Sequence, residues 1–405
     1  MRIVQVNKFM YRRDGAAAYV LDLSRLLEEA GHQVAFFGMK QPQTIVTPWS
    51  DYFVNEIHFD RSEGFFKDIK KIGHMIWSTE ARQKFSRLLD DFKPDVVHLH
   101  VTYHQISPSI LPECRRRNIP VVLTAHDYHL ISPNYSLITR GKPCERCLGG
   151  FFWRTMAQNC LDSWPKTVAG GFEHLIHRLL GIYERDVDRV ICPSRFMMQM
   201  LARFGWDTKK LEHLPNPVKT SSVPASENNV GSGVLYAGRL SPEKGVAVLL
   251  EAARRLPDIP FTIAGDGPAR RALEDTAPPN VRFLGFRPFA EIQELIAQSR
   301  LVSVPSIWYE NFPYAALEPM ALGKTVIASR IGGLPEIIRD QETGLLVPPA
   351  DIPRLVDAIR AAYYDEALTS RLGRSAAAEI RRAYSPTDHR ATIIKIYEAV
   401  IAAHR

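Results

Sequence analysis

Two cations lie on one short loop between Tyr236 and Gly245, in the stretch Tyr-Ala-Gly-Arg-Leu-Ser-Pro-Glu-Lys-Gly. A strand-like run leads into this loop and a helical pattern follows, so Arg239 and Lys244 come just before a helix N-terminus. That end of a helix presents free N–H groups and partial positive charge. Arg can bind phosphate oxygens in a fork and Lys adds a point charge, so the loop predicts a diphosphate site. The alternative is an ordinary solvated loop.

Two glutamates follow a second predicted strand, in the stretch from Pro305 to Gly323. Glu310 is expected in the loop after the strand, and Glu318 about two turns along the following helix. Ionised carboxylates only accept hydrogen bonds, which suits hydroxyl-rich ligands such as sugars and ribose. The alternative is a glutamate that matches the helix dipole together with a surface glutamate. The apolar neighbours of Glu318 argue against an ordinary solvated helix face.

The elements that must position these residues alternate along the 405-residue chain. Short β-branched runs are followed by helical patterns, which is typical of parallel sheets covered by helices. We therefore predict an α/β fold with two doubly wound, Rossmann-like sheets, whose ligands bind at the carboxyl ends of the strands. The predicted strands are 2–6, 33–38, 96–100, 121–124 and 189–193 in the first half, and 234–238, 261–265, 281–285, 301–305, 325–329 and 344–347 in the second.

Two domains and a terminal helix follow from this pattern. The predicted domains are residues 1–218 and 219–385. Residues 219–233 are polar and rich in Ser, Asn and Gly, so we interpret them as the interdomain linker. The C-terminal helix 386–405 is expected to cross back and pack on the first domain.

The composition is that of a soluble globular protein, with 45% hydrophobic and 23% charged residues. No apolar run of about 18 residues predicts a membrane span, and a strand beginning at Arg2 leaves no room for a signal peptide. Five cysteines are too few for a disulfide scaffold, so a cytoplasmic location is expected. The net charge of +7 is compatible with phosphate-rich substrates or an anionic membrane surface, although many basic proteins bind neither. We expect no nucleic-acid partner.

An ordered set of motifs in the second half carries a family resemblance. After the two cations come Ala264–Pro268, then Phe283–Phe286, then the glutamate pair, then Gly332–Glu336. This set resembles the retaining GT-B glycosyltransferases of family 4, also called group-1 glycosyltransferases. The resemblance covers essentially the whole chain and is most specific in the second half. It implies two Rossmann-like domains facing a cleft, with residues 1–218 on the acceptor side and residues 219–385 binding the nucleotide-sugar donor.

The resemblance also implies a role for each matched position in the second half. Arg239 and Lys244 hold the donor diphosphate, Glu318 binds the ribose hydroxyls, and Glu310 contacts the transferred sugar. The loop at Phe286 lies beside the nucleobase. The complete set of implied donor-binding residues is Gly15, Arg239, Lys244, Gly265, Phe286, Glu310, Asn311, Phe312 and Glu318.

The first half departs more from the family pattern. Relatives carry a Gly-Gly pair in the loop after the first strand, whereas this chain has Asp14-Gly15. Gly15 still allows a close backbone approach to the diphosphate. His126, at the end of a predicted buried strand, matches an active-site histidine near the donor sugar. The implied catalytic residues are therefore His126, Arg239, Lys244 and Glu310.

The implied reaction is transfer of a sugar from a UDP- or GDP-linked donor to a hydroxyl of a glycan, glycolipid or small molecule. The leaving β-phosphate gains negative charge, which cations and amide dipoles can stabilise in place. Family members retain the anomeric configuration and need neither a metal nor a side-chain base. Two alternatives are a nucleotide-sugar epimerase or hydrolase of the same fold, and a non-catalytic membrane-associated partner of a glycosyltransferase.

Metal and membrane contacts complete the expectations. Cys144, Cys147 and Cys160 could hold a structural zinc ion with a histidine such as His129, but reduced thiols without zinc are favoured, and no cofactor is expected. Asp186-Val-Asp188 resembles a metal-binding pair, yet it lies between a helix and a strand. The aromatic and basic region 151–178 could bind the acceptor or give peripheral contact with the inner membrane face.

Overall fold

The computed structural model describes residues 1–59, 64–150, 152–218 and 231–405. Most of the linker predicted at 219–233 lies outside the described residues. The chain divides into two compact units. The first comprises residues 1–135, 145–215 and 387–405, and the second comprises residues 136–144 and 216–386.

The strands are short and mostly buried. In chain order they are β1 (Arg2–Val6), β2 (Gln33–Phe37), β3 (Val96–Leu99), β4 (Val121–Thr124), β5 (Ile138–Thr139), β6 (Lys142–Pro143), β7 (Arg189–Cys192), β8 (Leu211–His213), β9 (Val234–Ala237), β10 (Phe261–Ala264), β11 (Val281–Gly285), β12 (Leu301–Val304), β13 (Thr325–Ser329) and β14 (Leu345–Val347).

The helices occupy most of the chain between the strands. They are α1 (Gly15–Glu29), α2 (Phe65–Ile76), α3 (Thr79–Phe92), α4 (Leu111–Arg116), α5 (Trp153–Gln158), α6 (Trp164–Leu180), α7 (Ile182–Asp186), α8 (Arg195–Arg203), α9 (Val246–Arg254), α10 (Arg270–Asp275), α11 (Phe289–Gln298), α12 (Tyr314–Ala321), α13 (Leu334–Ile337), α14 (Ile352–Tyr364), α15 (Glu366–Ala383) and α16 (Pro386–His404).

Each unit contains a six-stranded parallel sheet, which confirms the predicted fold class. The strand orders are β2-β1-β3-β4-β7-β8 in the first unit and β11-β10-β9-β12-β13-β14 in the second. Every strand predicted from the sequence is present. The sequence analysis missed β8 and the antiparallel hairpin β5–β6, because strands of two or three residues carry almost no periodic signal.

Helices cover both faces of the second sheet because successive strand residues point to opposite sides. On β13, Val326 joins a hydrophobic cluster with Leu317 of α12 and Ile380 of α15. Its neighbour Ile327 joins a different cluster on the other face, with Leu249 of α9 among its members. This three-layer packing leaves the ends of the strands, rather than the faces of the sheet, available for a ligand.

The compact units differ from the predicted domain 1–218 in two respects. The first unit ends at Pro215, and residues 136–144, which contain the hairpin β5–β6, cluster with the second unit. Such assignments depend on contacts between segments far apart in sequence, for which a local pattern carries no signal.

The C-terminal helix α16 belongs to the first unit, where its polar side chains reach the sheet and α1. Tyr397 Oη lies 2.6 Å from Nδ1 of His98 on β3. His389 Nδ1 donates to the carbonyl of Pro215 at 2.9 Å, so its Nε2 must accept from the Tyr19 hydroxyl, also at 2.9 Å. Both helix residues are buried.

His389 gives this contact a measurable pH dependence. Burial lowers the pKa of His389 to about 4, whereas a histidine in an unfolded chain titrates near 6.5. As the pH falls below about 6.5, the unfolded chain takes up a proton that the folded chain does not, so stability is lost toward pH 4. We expect His389→Gln to reduce the slope of unfolding free energy between pH 6 and 5 by about 1 kcal/mol per pH unit.

Urea denaturation at pH 7, 6 and 5 measures this slope in a range where most carboxylates stay ionised. The matched control is His58→Gln, because the His58 side chain is 54% exposed. The control should keep the wild-type slope. Equal slopes in the two variants would show that His389 is not the proton-linked group.

Candidate functional site

Lys244 and Glu310, two of the predicted donor-site residues, meet at the topological switch point of the second sheet. β9 lies between β10 and β12, so the chain adds strands on one side of β9 and then on the other. The loops that follow β9 and β12 therefore lead to helices on opposite faces of the sheet and leave a crevice between them, which is where ligands bind in doubly wound sheets. Lys244 from the first loop and Glu310 from the second form an ion pair, with Nζ 2.8 Å from Oε1.

Glu310 is held firmly in a buried position. Its side chain is 5% exposed, and the same Oε1 that bonds Lys244 accepts the Ser306 hydroxyl at 2.6 Å. The Lys244 side chain is 24% exposed, and its ammonium lies 4.6 Å from the centre of the Trp308 ring. Lys244 therefore has an open side toward solvent and a fixed side toward the carboxylate.

Glycines at two loop positions allow the loops that carry Lys244 and Glu310 to lie close to each other and to their neighbours. Gly245 has φ of 70°, and a side chain there would place Cβ 1.9 Å from the carbonyl oxygen of Pro305. Gly332 has φ of 59°, and its Cβ would lie 2.2 Å from the carbonyl oxygen of Glu310. The next residue, Gly333, donates its N–H to that same carbonyl at 2.7 Å. Only glycine fits such positive φ values and close contacts without strain.

Arg239 occupies the same loop as Lys244 but is differently placed. It is exposed, and its carbonyl accepts the buried Tyr236 hydroxyl at 2.8 Å, which anchors the backbone of the loop. Among the described residues, no carboxylate forms an ion pair with the Arg239 guanidinium. A second cation on the loop of Lys244 is thus without a carboxylate partner in the described structure, which suits an anionic ligand.

Two further predicted positions shape the adjacent loops. Gly265 has φ of 144°, and a Cβ there would lie 1.8 Å from the carbonyl oxygen of Gly238. Its N–H donates to the carbonyl of Gly285 at 2.8 Å. Phe286 follows with a side chain that is 69% exposed, at the carboxyl end of the edge strand β11. The close backbone contact therefore explains why position 265 is glycine, whereas the Phe286 side chain is exposed to solvent.

The helix that carries Glu318 begins later than predicted. α12 starts at Tyr314, so Glu318 lies about one turn into the helix instead of two. Asn311 and Phe312 precede the helix in the loop and are buried, whereas Glu318 is partly exposed. The correction follows from the loop after β12, which extends to Pro313 before the first helical turn.

Gly15 and Asp14 lie at the start of α1 in the first unit, and both are exposed. Asp14 is the N-cap of this helix, and its Oδ1 accepts the N–H of Ala17 at 3.0 Å. An aspartate in this position satisfies one of the free amides of the first helical turn. The departure from a glycine pair at this position therefore has a structural explanation.

His126 ends a chain of hydrogen bonds that fixes its tautomer. Gln5 Oε1 accepts from His100 Nε2 at 2.7 Å, so the neutral His100 ring must accept at Nδ1. Its partner there is His126 Nε2 at 3.0 Å, which leaves the lone pair of His126 on Nδ1. Desolvation lowers the pKa of His126 to about 3, so the ring is neutral at pH 7 and its Nδ1 can accept a hydrogen bond from a hydroxyl group. The sequence analysis missed Gln5 and His100, whose only signal was a polar residue within a buried strand.

The cysteines of the zinc hypothesis are not grouped as metal ligands in the described residues. Cys147 Sγ lies 3.1 Å from the Thr155 hydroxyl, and Cys144, Cys147 and Cys160 are reduced thiols outside any disulfide in the described structure. Within the part of the chain that the structure describes, no cluster of three or more metal-ligating side chains includes a cysteine. Asp186 is buried and held by both ends of the Arg185 guanidinium, which indicates a structural role.

The described part of the aromatic region 151–178 is only partly exposed to solvent. Trp153, Trp164 and Phe172 are exposed, whereas His174 is buried. None of the described helices is long and apolar enough to cross a membrane. Peripheral membrane contact through this region stays a prediction.

Comparison with protein families gives two matches that together cover most of the chain. Residues 13–222 match the model "Glycosyltransferase Family 4", and residues 225–379 match "Glycosyl transferases group 1". A D-inositol 3-phosphate glycosyltransferase of Corynebacterium glutamicum is 33% identical over 328 residues, which are 76% of this chain and 73% of the relative. An alpha-D-kanosaminyltransferase of Streptomyces kanamyceticus is 37% identical over 153 residues. That match covers 36% of this chain and only 39% of the length of the relative.

Solved structures show the same architecture over the full length. Sucrose-phosphate synthase of Thermosynechococcus elongatus superimposes with a TM-score of 0.75 at 20% identity and covers 100% of both chains. Anabaena HepE, solved in complex with UDP and glucose, gives a TM-score of 0.70 at 15% identity and covers 98% of this chain and 100% of its own. With these matches and the two doubly wound sheets, the chain belongs to glycosyltransferase family 4 and has the GT-B fold.

Proposed function

We propose that this protein transfers a sugar, with retention of anomeric configuration, from a nucleotide-diphosphate donor to an acceptor hydroxyl. The donor is a UDP- or GDP-sugar, and the acceptor is a glycan, a glycolipid or a small molecule. The observation that carries the proposal is the Lys244–Glu310 pair at the switch point of the second sheet, with Arg239 exposed on the same loop. These groups supply two cations for a diphosphate and one carboxylate for the attached sugar.

The catalytic contribution of this arrangement is electrostatic. When the bond between sugar and β-phosphate breaks, negative charge grows on the phosphate oxygens. Arg239 and Lys244 are already in place, so little reorganisation is needed at the moment of reaction. The acceptor attacks from the face of the leaving group, and its proton passes to the departing phosphate oxygen. This route uses neither a side-chain base nor a divalent metal.

The ion pair also suggests how the sugar is positioned. Because Lys244 binds Glu310 directly, a phosphate held by Lys244 brings its sugar next to the Glu310 carboxylate. The second Glu310 oxygen, Oε2, can accept a hydrogen bond from a sugar hydroxyl. In the first unit, His126 offers a neutral Nδ1 acceptor of the same kind. We propose that the Glu310 carboxylate binds a hydroxyl of the transferred sugar in this way.

The donor nucleotide and the acceptor are separate questions. HepE has been solved with UDP and glucose, so UDP is the first nucleotide to test. One relative is a D-inositol 3-phosphate glycosyltransferase, so a polyol phosphate is one small-molecule acceptor to test. An epimerase or hydrolase would share the donor site but would need no acceptor. A non-catalytic partner would have no reason to keep two cations and a buried carboxylate at the switch point.

The expected result is one UDP or GDP site per chain and turnover of the matching nucleotide-sugar that depends on an acceptor. Calorimetric titration of the two diphosphates identifies the nucleotide, and proton NMR of the product reports its anomeric configuration. Adding EDTA at the start of the assay should leave the initial rate unchanged. Immediate loss of activity that Mg²⁺ restores would contradict the metal-free mechanism, and turnover without any acceptor would favour the hydrolase or epimerase.

A further inference from the structure

Glu173 on α6 is a fully buried carboxylate in the first unit, and no role has been assigned to it above. Its exposure is 0%, and neither carboxylate oxygen has a hydrogen-bond partner among the described residues. The nearest basic atoms are His104 Nε2 at 3.5 Å and His129 Nε2 at 4.0 Å. Burying an ionised carboxylate is costly unless a cation compensates it at close range. The surroundings of Glu173 should therefore be built for a positive charge.

Histidine nitrogens supply the remaining donors of a metal site. One ligand atom each from His129, Glu173 and His174 lies within 4.8 Å of the other two. His129 and His174 are 4% and 6% exposed, and the Nδ1 atom of His129 is buried without a hydrogen-bond partner in the described structure. Three buried donors at this spacing can enter the coordination sphere of one ion.

The immediate environment already orients one ligand. His174 Nδ1 donates to the carbonyl of Gly170 at 3.0 Å, as the distal nitrogen of a metal-bound histidine commonly does. Its Nε2 lies 2.7 Å from the carbonyl of His129, and metal binding would replace that hydrogen bond. A cavity of about 30 Å³ lined by His129, His174 and His177 provides room beside the ring.

We propose that His129, Glu173 and His174 bind one divalent transition-metal ion, with Zn²⁺ as the preferred ion. Two imidazoles and one carboxylate are borderline donors that suit Zn²⁺ and exclude Ca²⁺ and Mg²⁺, which prefer oxygen ligands. His104 or water fills the fourth position. The ion joins α6 to the segment that follows β4 and has a structural role. This site is independent of the cysteines and of the proposed transfer reaction.

A competition titration of metal-stripped protein with Zn²⁺ and a chromophoric chelator tests the proposal. Wild type should bind one Zn²⁺ per chain. Glu173→Gln and His129→Gln each remove a direct ligand, so affinity should fall by more than the roughly 10- to 100-fold typical of changes around the ligands. The matched control is His177→Gln, because His177 lines the same cavity one turn along α6 but bonds the carbonyl of Ile76. The control should bind Zn²⁺ like wild type.

Cobalt substitution of the wild-type protein keeps the test decisive if a variant fails to fold. Co²⁺ bound by imidazole and carboxylate gives visible d–d bands without the strong near-ultraviolet band of a thiolate ligand. Less than about a tenth of an equivalent of Zn²⁺ on wild type would overturn the proposal. Equal affinity in wild type and both ligand variants, or a thiolate band with Co²⁺, would overturn it as well, the latter in favour of the cysteines.

Discussion

Arg239→Ala is expected to lower turnover by about 10² to 10³-fold, as loss of one preorganised donor to a developing oxyanion does. Its free energy of unfolding should hardly change, because the side chain is exposed and has no ion-pair partner in the described structure. Initial rates at saturating donor, together with urea denaturation, measure the two effects. Near-wild-type turnover would remove Arg239 from the diphosphate site.

Lys244→Ala is expected to lose turnover to a similar degree but also to lose stability. Lys244 compensates the buried Glu310 carboxylate, whereas Arg239 compensates none. Breaking a fully buried pair costs about 3–5 kcal/mol, and the partial exposure of Lys244 reduces the expected loss to about 1–3 kcal/mol. From the sequence alone, both cations are expected on an exposed loop, and their substitutions are expected to have equal effects. The difference in stability is therefore predicted only from the structure.

A double variant separates the two contributions of Lys244. Glu310→Gln in the Lys244→Ala background removes the uncompensated charge, so part of the stability should return while turnover stays low. If the stability of Lys244→Ala already equals that of Arg239→Ala, the ion pair contributes nothing and the carboxylate is compensated in another way.

Glu310→Gln and Glu318→Gln are expected to fail in different ways. Glu310 is proposed to contact the sugar undergoing transfer, where positioning errors of about 1 Å can cost 10²-fold in rate. Glu310→Gln should therefore lower kcat, and its effect should depend on the sugar that the donor carries. Glu318 is proposed to bind ribose, far from the bond that breaks, so Glu318→Gln should chiefly raise the donor KM.

The nucleotide diphosphate alone tests this division most directly, since it contains ribose but no transferred sugar. Its affinity should drop for Glu318→Gln and hardly change for Glu310→Gln. Glutamine is the right replacement at 310, because its amide oxygen can still accept the bonds that Lys244 and Ser306 donate. Calorimetric titration of both variants gives the answer. The opposite pattern would mean that the two carboxylates have exchanged roles, and no effect in either would mean that the pair is structural.

The strands and their order along the chain could be predicted from the sequence, because both depend on local hydrophobic patterns. Strands such as β3 and β4 are apolar enough to be buried on both faces, and a histidine follows each of them within two residues. The same reasoning placed Arg239, Lys244 and Glu310 in loops after strands. It misjudged the start of α12 by several residues, because the loop from Ser306 to Pro313 lacks a clear helix-start signal.

Local sequence patterns could not predict which side chains form contacts with each other. Lys244 and Glu310 are 66 residues apart and were assigned separate roles, yet they form one ion pair. Ser306 completes the contact without any motif to mark it. The tautomer of His126 depends in the same way on His100 and Gln5, which come from two other strands.

The sequence by itself therefore determined the α/β class, the strand ends and the residue types available at them, since hydrophobic periodicity and glycine positions act locally. Only the tertiary structure decided which of those residues meet. Adding strands on both sides of β9 brings two distant loops together, and the packing of α6 encloses Glu173 among histidines. Burial then decides the chemistry of these contacts, because a charge removed from water must be compensated by the groups that the fold places around it.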